Sequence, residues 1–181
     1  MPQVNFRFEM KEGVPEDQIL DFCKRHHPDV VVMGTRGRKV SGDLIGSVTA
    51  EVIDSCDSAV FALPQLIRQS DISMFKRIAF ITNFDQKDLI AIDKVISTFG
   101  GDQLEMTFIH GTNKKQVWDE IMLSGIKVYF SNHYPNLRTN YDLIESTESP
   151  EKINEFIENM KVDVLAFNSR RKNLISRIFN P

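Results

Sequence analysis

The sequence predicts an α/β fold, a mostly parallel sheet flanked by helices on both faces, and three observations carry that expectation. Short apolar runs such as Val30-Val31-Val32-Met33 and Ala59-Val60-Phe61-Ala62-Leu63 have the length of buried strands. Between such runs stand segments with apolar residues at helical spacing, Leu89, Ile92, Val95, Ile96 and Phe99 among them. The two patterns then alternate along the chain, which is the order of βαβ units rather than of hairpins or helix bundles.

Taken in order, Val4-Asn5-Phe6-Arg7-Phe8 alternates apolar and polar residues as a half-buried strand does. Pro15 suits a first helical turn, Glu16 and Asp17 follow it, and Ile19, Leu20, Phe22 and Cys23 continue at helical spacing until Pro28 closes the segment. Strand Val30 to Met33 empties into a glycine-rich loop, and a helix begins at about Ser47 with Val48, Val52 and Ile53 on its apolar side. Ala59 to Leu63 is a further strand, and Pro64 through Met74 reads as a linker. The second part opens with strand Arg77 to Thr82, then a helix capped by Asp85 and ended by Gly100-Gly101. Strand Leu104 to Ile109 follows. Ile126-Lys127-Val128-Tyr129-Phe130 is strand-like locally, yet Val117, Trp118, Ile121, Gly125 and Val128 keep a helical period, which favours one long helix ended before Pro135. Strand Arg138 to Ile144, helix Pro150 to Met160 and strand Val162 to Phe167 complete the reading.

With 181 residues, 41% of them hydrophobic and 26% charged, the composition is that of an ordinary globular protein. A net charge of -3 argues against a general nucleic-acid binder, although Arg36-Gly37-Arg38-Lys39 and Arg170-Arg171-Lys172 each follow a predicted strand. No apolar run approaches the ~20 residues that span a bilayer, and Met1-Pro2-Gln3-Val4-Asn5 lacks the pattern of a secretory signal, so the expectation is a cytoplasmic protein with no membrane partner. Cys23 and Cys56 lie in apolar helix patterns and read as reduced thiols. His26, His27, His110 and His133 share no metal-ligand spacing, so no metal site is expected.

The most informative stretch is Gly34-Thr35-Arg36-Gly37, followed by Gly42 and Gly46-Ser47. An apolar strand that opens into glycines and then a helix start presents backbone N–H groups to a phosphate. Glycine leaves room for close approach and reaches φ > 0 without strain. Thr35 and Ser47 add hydroxyl donors, and Arg36 and Arg38 add charge. The spacing is neither that of a P-loop nor G-x-G-x-x-G. A plain surface turn that ends one strand and opens one helix accounts for the same glycines. Asp43 is the one carboxylate within the loop, and no Ser-His-Asp order, nucleophile elbow or paired carboxylates occur. Dedicated catalysis is therefore not expected, with slow ATP hydrolysis left open.

Sliding the chain against itself by about 134 residues brings Ile19 onto Ile153, Phe22 onto Phe156, Asp29 onto Asp163, Val30 onto Val164 and Arg36 onto Arg170. In the second copy Asn168 stands opposite Gly34 and Arg171 opposite Gly37, so a phosphate loop is expected only in the first.

With these residues in view, the chain resembles a tandem member of the universal stress protein family. The resemblance implies Rossmann-like, adenine-nucleotide alpha-hydrolase-like domains with parallel strands in the order 3-2-1-4-5. Nucleotide-binding members carry G-x-x-G, nine residues, then G-S or G-T. Here Gly34-Thr35-Arg36-Gly37 and Gly46-Ser47 match, with eight residues between them. The resemblance makes residues 1–65 the second half of one domain, strands three to five, and 66–74 a linker. Residues 75–181 become a second domain whose last helix and strand are reduced to the tail Leu174 to Phe179. Open sheet edges in both parts lead to an expectation of strand pairing between the parts and of a homodimer through sheet edges. The resemblance implies ATP as ligand, held by Gly34, Thr35, Arg36, Gly37, Arg38, Gly46 and Ser47. Asn83 occupies the place of the family's strand-one Asp, and a neutral amide accepts hydrogen bonds less strongly than a carboxylate. The expected function is a stress-response module binding ATP or a phosphate-type anion; the alternative is a non-catalytic dimerisation or partner-interaction module without nucleotide.

Overall fold

Alternating apolar runs and amphipathic helices fold into two separate parallel sheets. The computed structural model describes residues 5–35, 46–63, 75–100, 103–112, 117–145 and 150–168. These fall into two units, Met1–Leu66 and Ile67–Pro181.

The first unit runs α1 (Pro15–His26), β1 (Val30–Gly34), α2 (Ser47–Ser55) and β2 (Ala59–Leu63). Pro15 opens α1, Glu16 and Asp17 stand at its positive end, and Lys24, Arg25 and His26 at its negative end, which suits the helix dipole at both termini. Strands β1 and β2 are parallel, from Val30 opposite Ala59 to Gly34 opposite Leu63. Helices α1 and α2 pack on each other, burying Cys23, Thr49, Val52 and Ile53.

The strand expected over Val4–Phe8 does not form in its described part. Residues 5–12 are irregular, and Phe6, Phe8 and Met10 are exposed. An alternating sequence becomes a strand only when a neighbour takes its N–H and C=O groups. Among the described residues of this unit, β1 and β2 pair only with each other.

The second unit runs β3 (Arg77–Ile81), α3 (Gln86–Phe99), β4 (Glu105–Thr112), α4 (Val117–His133), β5 (Arg138–Glu145), α5 (Pro150–Asn159) and β6 (Val164–Phe167). Its strands are parallel in the order β5-β4-β3-β6. Alternate residues of β3 serve opposite faces. Ile78 and Phe80 join Met106, Phe108, Ile92, Ile96 and Phe130 under α3 and α4, whereas Ala79 and Ile81 meet Ile109, Phe156 and Ile157 under α5. Helices therefore cover both faces, as the sequence predicts. The segment 117–133 is one helix because Ile126, Tyr129 and Phe130 reach the core at helical spacing.

The expected strand pairing between the two parts is absent among the described strands. Strand β3 has both edges filled, by β4 and β6, because βαβ connections bring the strands of one unit together first. Asp163 fixes the β6 side. Its Oδ2 accepts from the backbone N–H of Lys76 at 3.0 Å and of Arg77 at 2.9 Å, and Oδ1 lies 3.5 Å from the Arg77 guanidinium. Burial raises the Asp163 pKa, but the two N–H donors and Arg77 outweigh it and hold the carboxyl below its ordinary value.

No helix of the described residues is long and apolar enough to cross a membrane.

Candidate functional site

The glycine turn is fastened on both sides of its loop. Thr35 N–H donates to Leu63 O at 2.9 Å, Gly46 N–H donates to Thr35 O at 2.6 Å, and the Thr49 hydroxyl donates to Gly34 O at 2.9 Å. Three hydrogen bonds thus hold the end of β1, the end of β2 and the first turn of α2 at fixed spacing. Arg36, Gly37 and Arg38 lie outside the described residues.

Helix α2 starts without a side-chain cap. Gly46 is its N-cap residue, extended at φ −69° and ψ 153°, and the first turn carries no acidic residue. The first N–H groups of a helix have no partner within it, and their dipoles sum to a partial positive charge. At α2 no N-cap side chain answers them, and Ser47 adds an exposed hydroxyl at the same place. Neither Gly34 nor Gly46 has a positive φ. Close approach, rather than left-handed backbone, is what glycine provides at these two positions.

The structure therefore brings Gly34, Thr35, Gly46 and Ser47 together in one turn. Asn83 is elsewhere, in the second unit, at the end of β3 where the chain leaves the sheet beside β6. That is the topological switch point of the four-stranded sheet. Here two N–H groups in the first turn of α3 are answered from within. Asp85 Oδ1 accepts from Lys87 N–H and Asp88 N–H, each at 2.9 Å. The buried Asp88 Oδ2 accepts from the Thr82 hydroxyl at 3.0 Å and from Asn83 N–H at 2.8 Å. Thr82 Oγ1 in turn accepts from Phe84 N–H at 2.7 Å, which holds Phe84 at a left-handed φ of 59°.

His110 of β4 extends this network. Its Nδ1 is 2.9 Å from Thr82 O, and since a carbonyl oxygen only accepts, Nδ1 carries the proton. Its Nε2 is 3.9 Å from Asp119 Oδ1 at the start of α4. Thr82, Asp88, His110 and Asp119 escape the sequence reading. The signal available for Asp88 is its place three residues after the Asp85 cap, within the positive end of α3.

Cys23 and Cys56 are free thiols, and burial, with Cys56 adding to it, pushes the Cys23 pKa up to about 11. Such a thiol is not a nucleophile at neutral pH. No group of three or more His, Cys, Asp or Glu placed to hold a metal occurs among the described residues.

Known proteins match the first unit by sequence and the chain as a whole by fold. Residues 2–64 match the model of the universal stress protein family. A universal stress protein of Methanothermobacter thermautotrophicus is 42% identical over 52 residues, 29% of this chain and 36% of that protein. One from Methanocaldococcus jannaschii is 36% identical over 61 residues, 33% of this chain and 36% of that protein. The matched stretch thus spans little more than a third of either curated relative. The crystal structure of a universal stress protein from Archaeoglobus fulgidus superposes with a TM-score of 0.62 at 15% identity, covering 91% of this chain and 57% of that one. At that identity the likeness is one of fold.

Proposed function

Because residues 2–64 match the model of the universal stress protein family, we propose that the chain is a cytoplasmic stress-response module of that family that binds ATP or a related phosphate anion at the turn between β1 and α2. The observation that carries this reading is the α2 N-terminus, which has no side-chain cap and no acidic first turn and is fastened to β1 and β2. Gly46 N–H is spent on Thr35 O, so the donors for an anion are the Ser47 and Val48 N–H groups and the Ser47 hydroxyl. Arg36, Gly37 and Arg38 supply further donors and charge from the loop by the family pattern. ATP contributes a polyphosphate anion and an adenine; the chain's own residues bind and orient the phosphates.

Asn83 does not fit a strong ribose contact. Its N–H is taken by Asp88, and its side chain is an amide where the family pattern has a carboxylate. The phosphate end of the ligand is therefore the recognised end, and the module acts by binding rather than by dedicated catalysis.

Calorimetric titration with ATP and with inorganic pyrophosphate tests this. Both are expected to bind, Ser47→Ala to weaken both, and Gly37→Val to abolish both. Silence of the wild-type protein at millimolar ATP and pyrophosphate overturns the reading.

A second reading, a non-catalytic module that pairs copies through sheet edges, is favoured by one observation. Strand β1 is paired to β2 alone among the described residues, and residues 5–12 beside it hold an alternating sequence with no ladder.

A further inference from the structure

The chain holds two cysteines, and the fold of the first unit brings them to one place. Cys23 lies in the last turn of α1, and Cys56 is the residue that ends α2. Helices α1 and α2 pack on each other, and across that packing the two thiols share a side-chain hydrogen bond. Both backbones are fixed by their own helices. Cys23 O accepts from His27 N–H at 2.8 Å, and Cys56 N–H donates to Val52 O at 2.9 Å. The thiol pair is thus a product of helix packing. Its members differ in access, since Cys23 is 6% exposed while Cys56 is partly open to solvent. Cys56 can meet a solute; Cys23 is shielded and faces its neighbour.

We propose that Cys56 and Cys23 form an oxidation site, at which a hydroperoxide converts the thiol pair into an intrachain disulfide joining α1 to α2. In the first step Cys56 Sγ gives up its proton and attacks one peroxide oxygen. The O–O bond breaks, a sulfenic acid forms, and the leaving oxyanion takes up the proton. In the second step Cys23 Sγ attacks the Cys56 sulfur, the S–O bond breaks, and the Cys23 proton departs with the hydroxide as water. Each sulfur loses one electron, and the two peroxide oxygens gain the pair. The buried Cys23 thiol keeps its proton at neutral pH, so it does not compete for the oxidant. Its attack on Cys56 is intramolecular, and the high effective concentration of a held pair offsets the low thiolate fraction. Asp54 and Asp57 flank Cys56 in the chain, so it reacts as an ordinary thiol, stoichiometrically and not as a peroxidase.

The disulfide closes a covalent ring that contains β1, the glycine turn and α2. Such a ring restricts the unfolded first unit and keeps the two helices where they already pack. In a reducing compartment a disulfide of this kind is transient, so the bond records exposure to peroxide and is erased by cellular thiols. The site lies at the opposite end of α2 from the glycine turn, and it stands whether or not the turn binds phosphate.

The test treats the full native chain with millimolar hydrogen peroxide, alkylates it and weighs it intact without reductant. The monomer is expected to be lighter by two hydrogens and to take up no alkyl group, and dithiothreitol to restore both thiols. Cys23→Ala is expected to stop the reaction at the Cys56 sulfenic acid, whose dimedone adduct then accumulates on the order of tenfold above wild type. Cys56→Ser is expected to leave Cys23 a thiol that alkylates only on unfolding. The oxidised wild type is expected to unfold at a higher urea concentration than the reduced one. Wild-type mass alone decides whether the bond forms, so a variant that misfolds leaves the test intact. Oxygen added to Cys56 with Cys23 still a thiol overturns the proposal, and so does a disulfide between two copies or the survival of both thiols.

Discussion

The two strand-to-helix turns, β1 to α2 and β3 to α3, solve the same electrostatic problem in opposite ways. Each ends a parallel strand at the N-terminus of a helix, where unpaired N–H groups point out of the sheet. At α3 the chain supplies its own anions: Asp85 takes two N–H groups of the first turn, and Asp88 takes the Asn83 N–H just ahead of the helix together with the Thr82 hydroxyl. At α2 the cap position is Gly46, and no side-chain oxygen of the cap takes its place. A turn already filled by carboxylates repels a phosphate, whereas one left open by glycine can hold it. The difference teaches that a shared βαβ plan does not fix how the helix N-terminus is answered; the residues at and after the cap do.

The comparison breaks hardest at Asp88. Asp88→Ala removes a buried carboxylate that two donors depend on, and is expected to destabilise the second unit by about 2–4 kcal/mol. Urea unfolding followed by far-UV circular dichroism reads this directly. Phosphate binding at the first turn is expected to be unchanged. Asp85→Ala costs the cap alone, about 1 kcal/mol. If both variants destabilise equally, the network around Asp88 is worth no more than a surface cap.

The parts of this contrast differ in how far the sequence reveals them. Asp85 as a cap and Gly100 as a helix end are local signals, and the structure places them so, with Gly100 at a φ of 78°. Strand pairing is not local. Val4–Phe8 has the alternation of a strand, but alternation cannot say whether a neighbour exists, and residues 5–12 are irregular. The Thr82, Asp88 and His110 network was hidden for the same reason, because His110 joins it across 28 residues of chain. Gly46 before Ser47 is legible as a helix start, yet not through glycine's conformational freedom, since its backbone is extended and any residue can adopt it. What glycine contributes there is the absence of a capping oxygen and of a bulky side chain.

Asp163 sharpens the comparison at the other end of the strands, since its counterpart in the repeat is Asp29. Asp163 clamps β6 to the start of β3, whereas Asp29 is exposed. The Asp163 carboxyl lies below its ordinary value of 3.8, so the folded second unit binds its proton less readily than the unfolded chain does. Its contribution is present above that ordinary value and is lost as pH falls through the lower folded value. Urea midpoints measured at neutral pH and at pH about 3 are expected to converge partly in Asp163→Asn.

The smallest change in stability carries the sharpest test of the turn. Gly46→Asp installs at α2 what Asp85 supplies at α3, a carboxylate at the N-cap. Gly46 already has the extended backbone that a capping Asp adopts, so the substitution requires no refolding of the turn. Asp and Gly differ at this position by only a few tenths of a kcal/mol, in favour of Asp, so the thermal midpoint is expected to rise slightly or stay level. The carboxylate occupies the N–H groups that an anion needs and repels it by charge, so ATP and pyrophosphate binding are expected to disappear together. Gly46→Asn separates the two causes, because the amide caps the helix without the charge. Intermediate binding by Gly46→Asn indicates that both matter, and undiminished binding by Gly46→Asp would move the anion away from α2.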